Sequence, residues 1–219
     1  PPDHDSERTP LLSLSSALGP IARLAAAIVL VAVALAAAPA RATTIVPLSD
    51  NALVDRSPLI LVGRVEGRLP ATVSRPVTDW LVTVERVLKG QHAAGSLVVR
   101  VPGGETAAGD LLTVYGAPRF RAGKRVLLFL APRADGTWAI AQFVQGAFHE
   151  IRSGGRRLAV RDLSEVQVLR RNQRLRSGNG KVREFDGFVA WIDDRVNGDR
   201  GPRKFLVRPT AKEHKAITD

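Results

Sequence analysis

The stretch DWLVTVERVLKG at residues 79–90 decides the fold class, because its apolar and polar side chains alternate along the chain. Trp80, Val82 and Val84 fall on one side of an extended chain, which is the pattern of a half-buried β-strand. A Lys-Gly pair closes the stretch and predicts the end of the strand. Residues 79–90 therefore indicate a sheet with one buried face.

Further short strands are predicted on both sides of this one. LILVGRVE at residues 59–66 is almost continuously apolar, as in a strand buried on both faces, and Gly63 marks a bulge or a close backbone approach. LVVRV at 97–101 and KRVLLFL at 124–130 are two more strands. An Asp-Gly turn and a Gly-Gly turn then predict hairpins. Since no intervening segment is long and periodic enough for a crossover helix, the chain is predicted to be mainly β, as a small barrel or a sandwich.

Two helices are predicted outside the strands. Residues 49–56, SDNALVDR, begin with an N-cap serine and form a short helix. Residues 184–197 show a helical period that ends in an Asn-Gly C-cap, and their apolar stripe should lie against the barrel. The stripe consists of Phe185, Phe188, Val189, Ile192 and Val196. The polar, Arg-rich segment 161–180 between strands and helix is predicted to be a linker or a mobile arm.

Residues 1–42 have the layout of a Sec-type secretory signal, which predicts a periplasmic or extracellular protein. The apolar run LAAAIVLVAVALAAA at 24–38 follows a basic residue, and Ala40 and Ala42 are the small residues of a cleavage site. We expect cleavage after Ala42, with a cut after Ala40 as the alternative. An uncleaved membrane anchor is the other alternative, although about fifteen apolar residues fall short of the roughly twenty that span a bilayer. Because the sequence contains no Met, a start-site artefact is one explanation for residues 1–19.

Composition and motifs argue against several kinds of active site. The 219 residues include no Cys, which excludes disulfides, thiol nucleophiles and cysteine-ligated metals. There is no HExxH, GxSxG or P-loop motif, and an enzyme site at the loop 101–105 is disfavoured because Pro-Gly-Gly commonly just ends a strand. The histidines are solitary, and His149 is expected on a strand surface; the four are His4, His92, His149 and His214. We therefore expect no catalytic residue, no metal and no cofactor.

The charge of the chain raises a second possibility, the binding of a polyanion or an anionic membrane surface. The net charge is +11, of which residues 151–219 carry +8 and residues 43–150 carry +3. The candidate contacts are Arg156, Arg157, Arg170, Arg171, Arg174 and Arg176. With 26 Arg against 6 Lys, part of this charge is compositional bias. Residues 161–181 contain no aromatic side chain to stack on bases, so no specific nucleic-acid partner is predicted.

The strand succession resembles the netrin-like domains, which include the tissue inhibitors of metalloproteinases. It is carried by residues 79–90, LVVRVPGG at 97–104, GAPRFRAGKRVLLFLAP at 116–132 and GTWAIAQ at 136–142. The pattern is most similar to cysteine-free bacterial secreted proteins of the same layout, some of which accompany metalloproteases. The resemblance covers about residues 45–160. It implies a closed, oligonucleotide/oligosaccharide-binding-type (OB-like) Greek-key barrel.

The resemblance leaves the Arg-rich segment unexplained, so the domain layout is predicted from the change of composition after Val160. The barrel domain would occupy residues 43–162 and a basic arm with the helix 184–197 would occupy 163–219. Inhibitors of this family coordinate a protease zinc through an amino-terminal Cys, whereas the mature chain would begin with Thr43, so inhibition does not transfer directly. The predicted partner-binding residues are Thr43, Thr44, Pro102, Gly103, Gly104 and Glu105. We therefore expect an exported, non-catalytic protein-binding module without a membrane span in the mature chain, one candidate partner being an extracellular metalloprotease.

Overall fold

The computed structural model describes most of the chain that follows the predicted signal. The described residues are 43–93, 95–169, 175–177, 181–202 and 204–218. The predicted signal at residues 1–42 lies outside them, as do three of the candidate polyanion contacts, Arg170, Arg171 and Arg174. Residues 42–219 group into one compact unit.

Fourteen strands and three helices are found in the described part of the chain. The strands are β1 Thr43–Ile45, β2 Leu59–Arg68, β3 Val77–Lys89, β4 Ser96–Pro102, β5 Gly104–Glu105, β6 Leu111–Leu112, β7 Arg125–Pro132, β8 Trp138–Ile140, β9 Ala147–Ser153, β10 Arg156–Val160, β11 Val166–Leu169, β12 Leu175–Ser177, β13 Val182–Glu184 and β14 Leu206–Val207. The helices are α1 Asp50–Arg56, α2 Phe185–Val196 and α3 Ala211–Thr218.

Five strands close into a barrel. Strand β7 pairs with β2, β2 with β3, β3 with β4 and β4 with β8, and β8 pairs back onto β7. The β4–β8 contact is parallel and the other four are antiparallel. Because β8 lies between β4 and β7, the strands follow a Greek-key order rather than a simple meander. The prediction of a mainly β, OB-like barrel is therefore confirmed.

The barrel interior contains the apolar sides of the alternating strands. Val82 is fully buried there, and Trp80 and Val84 pack against the same cluster, so the alternation in residues 79–90 is confirmed as a half-buried strand. The buried members are Leu59, Leu61, Val65, Val82, Leu97, Val99, Val101, Phe120, Val126, Leu128, Leu130, Ile140 and Ala147. The continuous apolar run of β2 is explained by a second core on its other face, to which it contributes Ile60 and Val62.

The second core lies between the sheet and the helix α2. Strand β7 also pairs with β9, and the sheet continues through β10, β13 and β14. On this sheet α2 buries Phe185, Phe188 and Ile192, which confirms the predicted apolar stripe. Val196 departs from it, because its side chain is 38% exposed at the end of the helix. Trp191, which the stripe did not include, is buried in the same core.

The prediction that residues 161–180 form a linker or a mobile arm is wrong for the first part of that segment. Leu163 and Val166 are buried against Val144 in a small core of their own. Strand β11 pairs in parallel with β1 and antiparallel with β12, so backbone hydrogen bonds hold a segment whose composition is polar. Residues 170–174 and 178–180 lie outside the described residues.

The Lys-Gly pair that ends β3 has a clear structural role. The Lys89 ammonium group donates hydrogen bonds to the carbonyl oxygens of Val54 (2.6 Å) and Asp55 (3.1 Å) in the last turn of α1. Gly90 has a φ of +81°, and a Cβ atom at this position would collide with the carbonyl oxygen of Pro58. The pair therefore fastens α1 to the end of the barrel strand β3.

Replacing Lys89 with methionine should lower the free energy of unfolding by about 1–2 kcal/mol. The apolar side chain keeps the length of lysine but leaves two carbonyls at the helix end without their charged donor. Urea unfolding at neutral pH measures the loss. Lys124→Met is the matched control, since Lys124 is exposed and its loss should stay within about 0.5 kcal/mol. Equal losses in the two variants would contradict a capping role for Lys89.

Candidate protein-interaction surface

The predicted binding turn at the end of β4 is held tightly to the neighbouring strand. The N–H of Gly103 donates to the Pro76 carbonyl oxygen (3.0 Å), and the Thr78 hydroxyl donates to the Gly103 carbonyl oxygen (2.8 Å). Gly104 has a φ of +125°, and a Cβ atom there would collide with the Thr78 hydroxyl oxygen. The glycine pair of the sequence is therefore required by backbone conformation and close packing.

A small hairpin projects from this turn. Its two strands, β5 and β6, pair Gly104 with Leu112 and Glu105 with Leu111. The connecting turn is closed by the N–H of Thr106, which donates to the Asp110 carbonyl oxygen (2.8 Å). A further hydrogen bond runs from the Ala107 N–H to the Val73 carbonyl oxygen (3.0 Å), in the β2–β3 loop. The hairpin is thus fixed both internally and to the neighbouring loop.

The hairpin presents apolar side chains to solvent. Leu111 is 76% exposed, Leu112 is 48% exposed and Tyr115, just beyond β6, is 38% exposed. We call these three residues the apolar hairpin surface. Leu111 and Leu112 are neighbours in β6, so their side chains point to opposite faces of the hairpin. Several exposed apolar side chains on one projecting hairpin make it a candidate protein contact, whereas a single exposed leucine is ordinary. The residue types at 111–115 give no signal that the leucines face solvent.

The charged side chains within residues 102–118 are acidic, although the chain as a whole is strongly basic. Glu105 and Asp110 are both exposed, and residues 102–118 include no Lys or Arg. Glu105 is 3.9 Å from the Arg68 guanidinium, a loose surface contact. A partner that fits this surface would therefore offer an apolar pocket.

Thr43 and Thr44, the other predicted partner-binding residues, belong to a different sheet from the turn. Both lie in β1, which pairs with β11, while the turn and hairpin follow β4. Beyond β1 the chain is held by Gln145, whose side-chain amide donates to the Val46 carbonyl oxygen (3.0 Å) and accepts from the Leu48 N–H (2.7 Å). The structure describes the Thr43 backbone and shows Thr44 exposed.

Two of the predicted polyanion contacts are paired within the protein. Arg156 donates from Nε (2.8 Å) and Nη2 (2.6 Å) to the two carboxylate oxygens of Glu213 in α3. The Arg156 guanidinium and the Thr210 N–H lower the pKa of Glu213 to about 2, so this pair stays ionised over the physiological range. Arg157 pairs in the same side-on manner with Asp186. Arg176 lies in β12, where only its backbone is described.

On the barrel face that OB-type folds use for nucleic acids, the arginine Arg100 is paired with carboxylates of the same chain. Such folds bind ligands on their second and third strands and the adjoining loops, which in this barrel are β3 and β4. Arg100 on this face is 9% exposed and donates to Asp79 (2.6 Å) and to Asp135 (2.7 Å) of the β7–β8 turn. Arg133 also lies 3.7 Å from Asp135, so two cations and two carboxylates neutralise one another and the cluster offers no excess positive charge to a phosphate.

A metal-binding group of side chains is not found in the described residues. Within 43–93, 95–169, 175–177, 181–202 and 204–218, no three His, Asp or Glu side chains are placed to hold a metal ion. His149 corrects an expectation, because it is half-buried rather than on the surface and its ring centroid lies 5.6 Å from that of Phe120. Burial lowers the pKa of His149, so its imidazole is neutral near pH 7.

Comparisons with known proteins leave the family of this chain open. No protein-family model matches the sequence, and no curated protein is similar to it at a significant level. The resemblance to netrin-like domains therefore stays a prediction. In the part of the chain that the structure describes, no helix is both long and apolar enough to cross a membrane.

Proposed function

We propose that this chain is an exported, non-catalytic protein-binding module that holds its partner on the apolar hairpin surface. The observation that carries the proposal is the exposure of Leu111 and Leu112 on a hairpin whose backbone is fixed by the turn at Gly103 and by the contact of Ala107 with the β2–β3 loop. The predicted secretory signal supports export. The resemblance to inhibitors of metalloproteinases makes an extracellular metalloprotease the first candidate partner.

A rigid apolar projection suits protein recognition because little conformational entropy is lost when it enters a pocket. Leu111, Leu112 and Tyr115 offer two aliphatic anchors and one aromatic ring close together in sequence. A few anchors of this kind commonly supply most of the binding energy of an interface. Polyanion binding, the alternative, has less support, since Arg156 and Arg157 already pair with carboxylates of the same chain.

The proposal predicts that charges on the hairpin abolish partner binding while the fold is retained. The double variant Leu111→Asp/Leu112→Asp should weaken partner affinity at least a hundredfold, which corresponds to the loss of one or two interface hot spots. Both side chains face solvent, so unfolding by urea should change little. Val196→Asp is the matched control, because Val196 is an exposed apolar residue at the end of α2.

The measurement starts with purified extracellular metalloproteases of the producing cell, titrated against the immobilised chain by surface plasmon resonance. Photo-crosslinking with benzoylphenylalanine at position 112 or 196, in the secreted and envelope fractions, extends the search to other proteins. A partner that crosslinks from 112, not from 196, and that binds the immobilised unchanged chain but not the immobilised double variant supports the proposal. Equal crosslinking from both positions overturns it. Retention on heparin with a steep salt dependence, unchanged in the double variant and without any hairpin-dependent partner, would favour the polyanion alternative.

A further inference from the structure

Three charged side chains lie inside the apolar layer between the sheet and α2. Asp50 at the start of α1, Arg161 after β10 and Arg183 in β13 each have side chains no more than 7% exposed. The Asp50 Oδ1 atom accepts from Arg183 Nη2 at 2.6 Å and from Arg161 Nη2 at 3.4 Å. Two guanidinium groups thus share one carboxylate, so the net charge of the cluster is positive by one unit.

Aromatic rings surround the two guanidinium groups. The Arg161 Cζ atom lies 4.4 Å from the ring centroid of Phe148, and the Arg183 Cζ atom lies 5.0 Å from Phe148 and 5.1 Å from Phe188. The faces of these rings favour the charged form of arginine. They accept no conventional hydrogen bond from the guanidinium edge, so they leave the donor groups of that edge unsatisfied.

Each of the two arginines has one buried donor without an acceptor among the described residues, namely Nε of Arg161 and Nε of Arg183. In a guanidinium group Nε–H and one Nη2–H point from the same edge, and Arg100 uses both on the two oxygens of Asp79. Arg161 and Arg183 each donate from Nη2 to Oδ1 of Asp50 and leave Nε–H without such a partner.

The electrostatics of Arg161 indicate the same excess of positive charge. Burial and the neighbouring Arg183 lower the pKa of Arg161 to about 9, and Asp50 opposes this shift only in part. At pH 7 Arg161 is still protonated, so the positive charge must be stabilised rather than lost. Buried charges of this kind are costly unless they are paired and hydrogen-bonded.

We propose that Arg161 and Arg183 form a buried binding site for one halide-sized anion, which accepts hydrogen bonds from both Nε–H groups beside Asp50. Such an anion satisfies the two remaining donors and neutralises the excess charge in one step. A water molecule would satisfy donors but leave the charge, which is why an anion is favoured. This site lies in the core behind α2 and is independent of the proposed function of the hairpin.

Thermal unfolding of the full chain tests the site. At matched ionic strength, replacing sodium gluconate by sodium bromide should raise Tm by about 5 °C or more once bromide is a hundredfold above its Kd. Arg161→Gln should remove this difference between the two salts. Arg157→Gln is the matched control, with the same change of charge at the other end of β10, and it should keep the full difference. An equal response of the two variants, or no response of the unchanged chain, overturns the proposal.

Crystals of the unchanged chain grown in bromide give a test that does not depend on whether a variant folds. An anomalous peak in contact with the Nε atoms of both Arg161 and Arg183 is expected. A water at that position without anomalous signal overturns the proposal. The bromide-dependent rise in Tm should also fade as the pH passes upward through and beyond about 9. There Arg161 loses its proton in the folded chain, while the unfolded chain keeps it to a higher pH.

Discussion

Phe188→Ala should lower the free energy of unfolding by about 3–5 kcal/mol. Phe188 has no exposed surface and lies at the centre of an aromatic cluster that joins α2 to the sheet. Its ring centroid is 4.8 Å from that of Phe205, 5.2 Å from Phe148 and 6.0 Å from Trp191. Truncation removes all three contacts at once and leaves a cavity that the strand β9 and the helix cannot easily close. Urea unfolding followed by tryptophan fluorescence measures the loss.

Two control substitutions lie in the same helix, α2. Val196→Ala removes an apolar side chain that is 38% exposed, so it should change stability by no more than about 0.5 kcal/mol. Phe188→Leu should lie between the two, because it keeps most of the buried volume. If Phe188→Ala were as mild as Val196→Ala, the packing of α2 against the sheet described above would be incorrect.

The parts of the fold that local patterns specify could be predicted from the sequence. The alternation at Trp80, Val82 and Val84 marks a strand because side chains of neighbouring residues point to opposite faces of a sheet. Gly63 was expected at a bulge or a close approach, and a register shift occurs between Val62 and Gly63, where a Cβ atom would lie 2.7 Å from the Thr83 carbonyl oxygen. In each case the chemistry of one position demands its local geometry.

Structure that depends on distant pairing could not be predicted in this way. The parallel pairing of β1 with β11 joins Thr44 to Gln167, and neither stretch carries an alternating pattern long enough to mark it. Leu163 and Val166 are apolar residues in a polar segment, and composition alone assigned that segment to a linker. Burial there is decided by what the rest of the chain places against it.

The candidate site also has features that local sequence patterns predict and features that depend on distant parts of the chain. The turn at Gly103 and Gly104 could be predicted from the sequence, because Pro-Gly-Gly ends a strand and reverses the chain. The exposure of Leu111 and Leu112 could not be predicted, because leucine side chains are usually buried. Only the structure shows that the hairpin lies outside both cores. Arg156 was assigned to an external polyanion because its partner Glu213 is 57 residues away in sequence.

The charged cluster behind α2 yields the second large expected effect. Asp50→Ala should lower the free energy of unfolding by about 3–5 kcal/mol, since it leaves Arg161 and Arg183 buried without a carboxylate. The partners lie 111 and 133 residues from Asp50 in the chain, so the loss should appear in global unfolding rather than as fraying of α1 alone. Urea unfolding and hydrogen exchange of the β13 amides together measure it.

Asp55→Ala is the matched control, because Asp55 lies in the same helix and also pairs with an arginine, Arg195, at 2.7 Å. That carboxylate is 58% exposed, so water replaces the lost partner and the change should be about 1 kcal/mol or less. If Asp50→Ala and Asp55→Ala lowered the free energy of unfolding equally, the two guanidinium groups of the core would be hydrated. Burial would then not increase the contribution of the carboxylate to stability. A much larger loss at Asp50 would show that desolvation, not the number of hydrogen bonds, sets the energy of this cluster. In that case bromide should recover part of the stability of Asp50→Ala and none of that of Asp55→Ala, because an anion can replace the carboxylate only where two cations remain in the core.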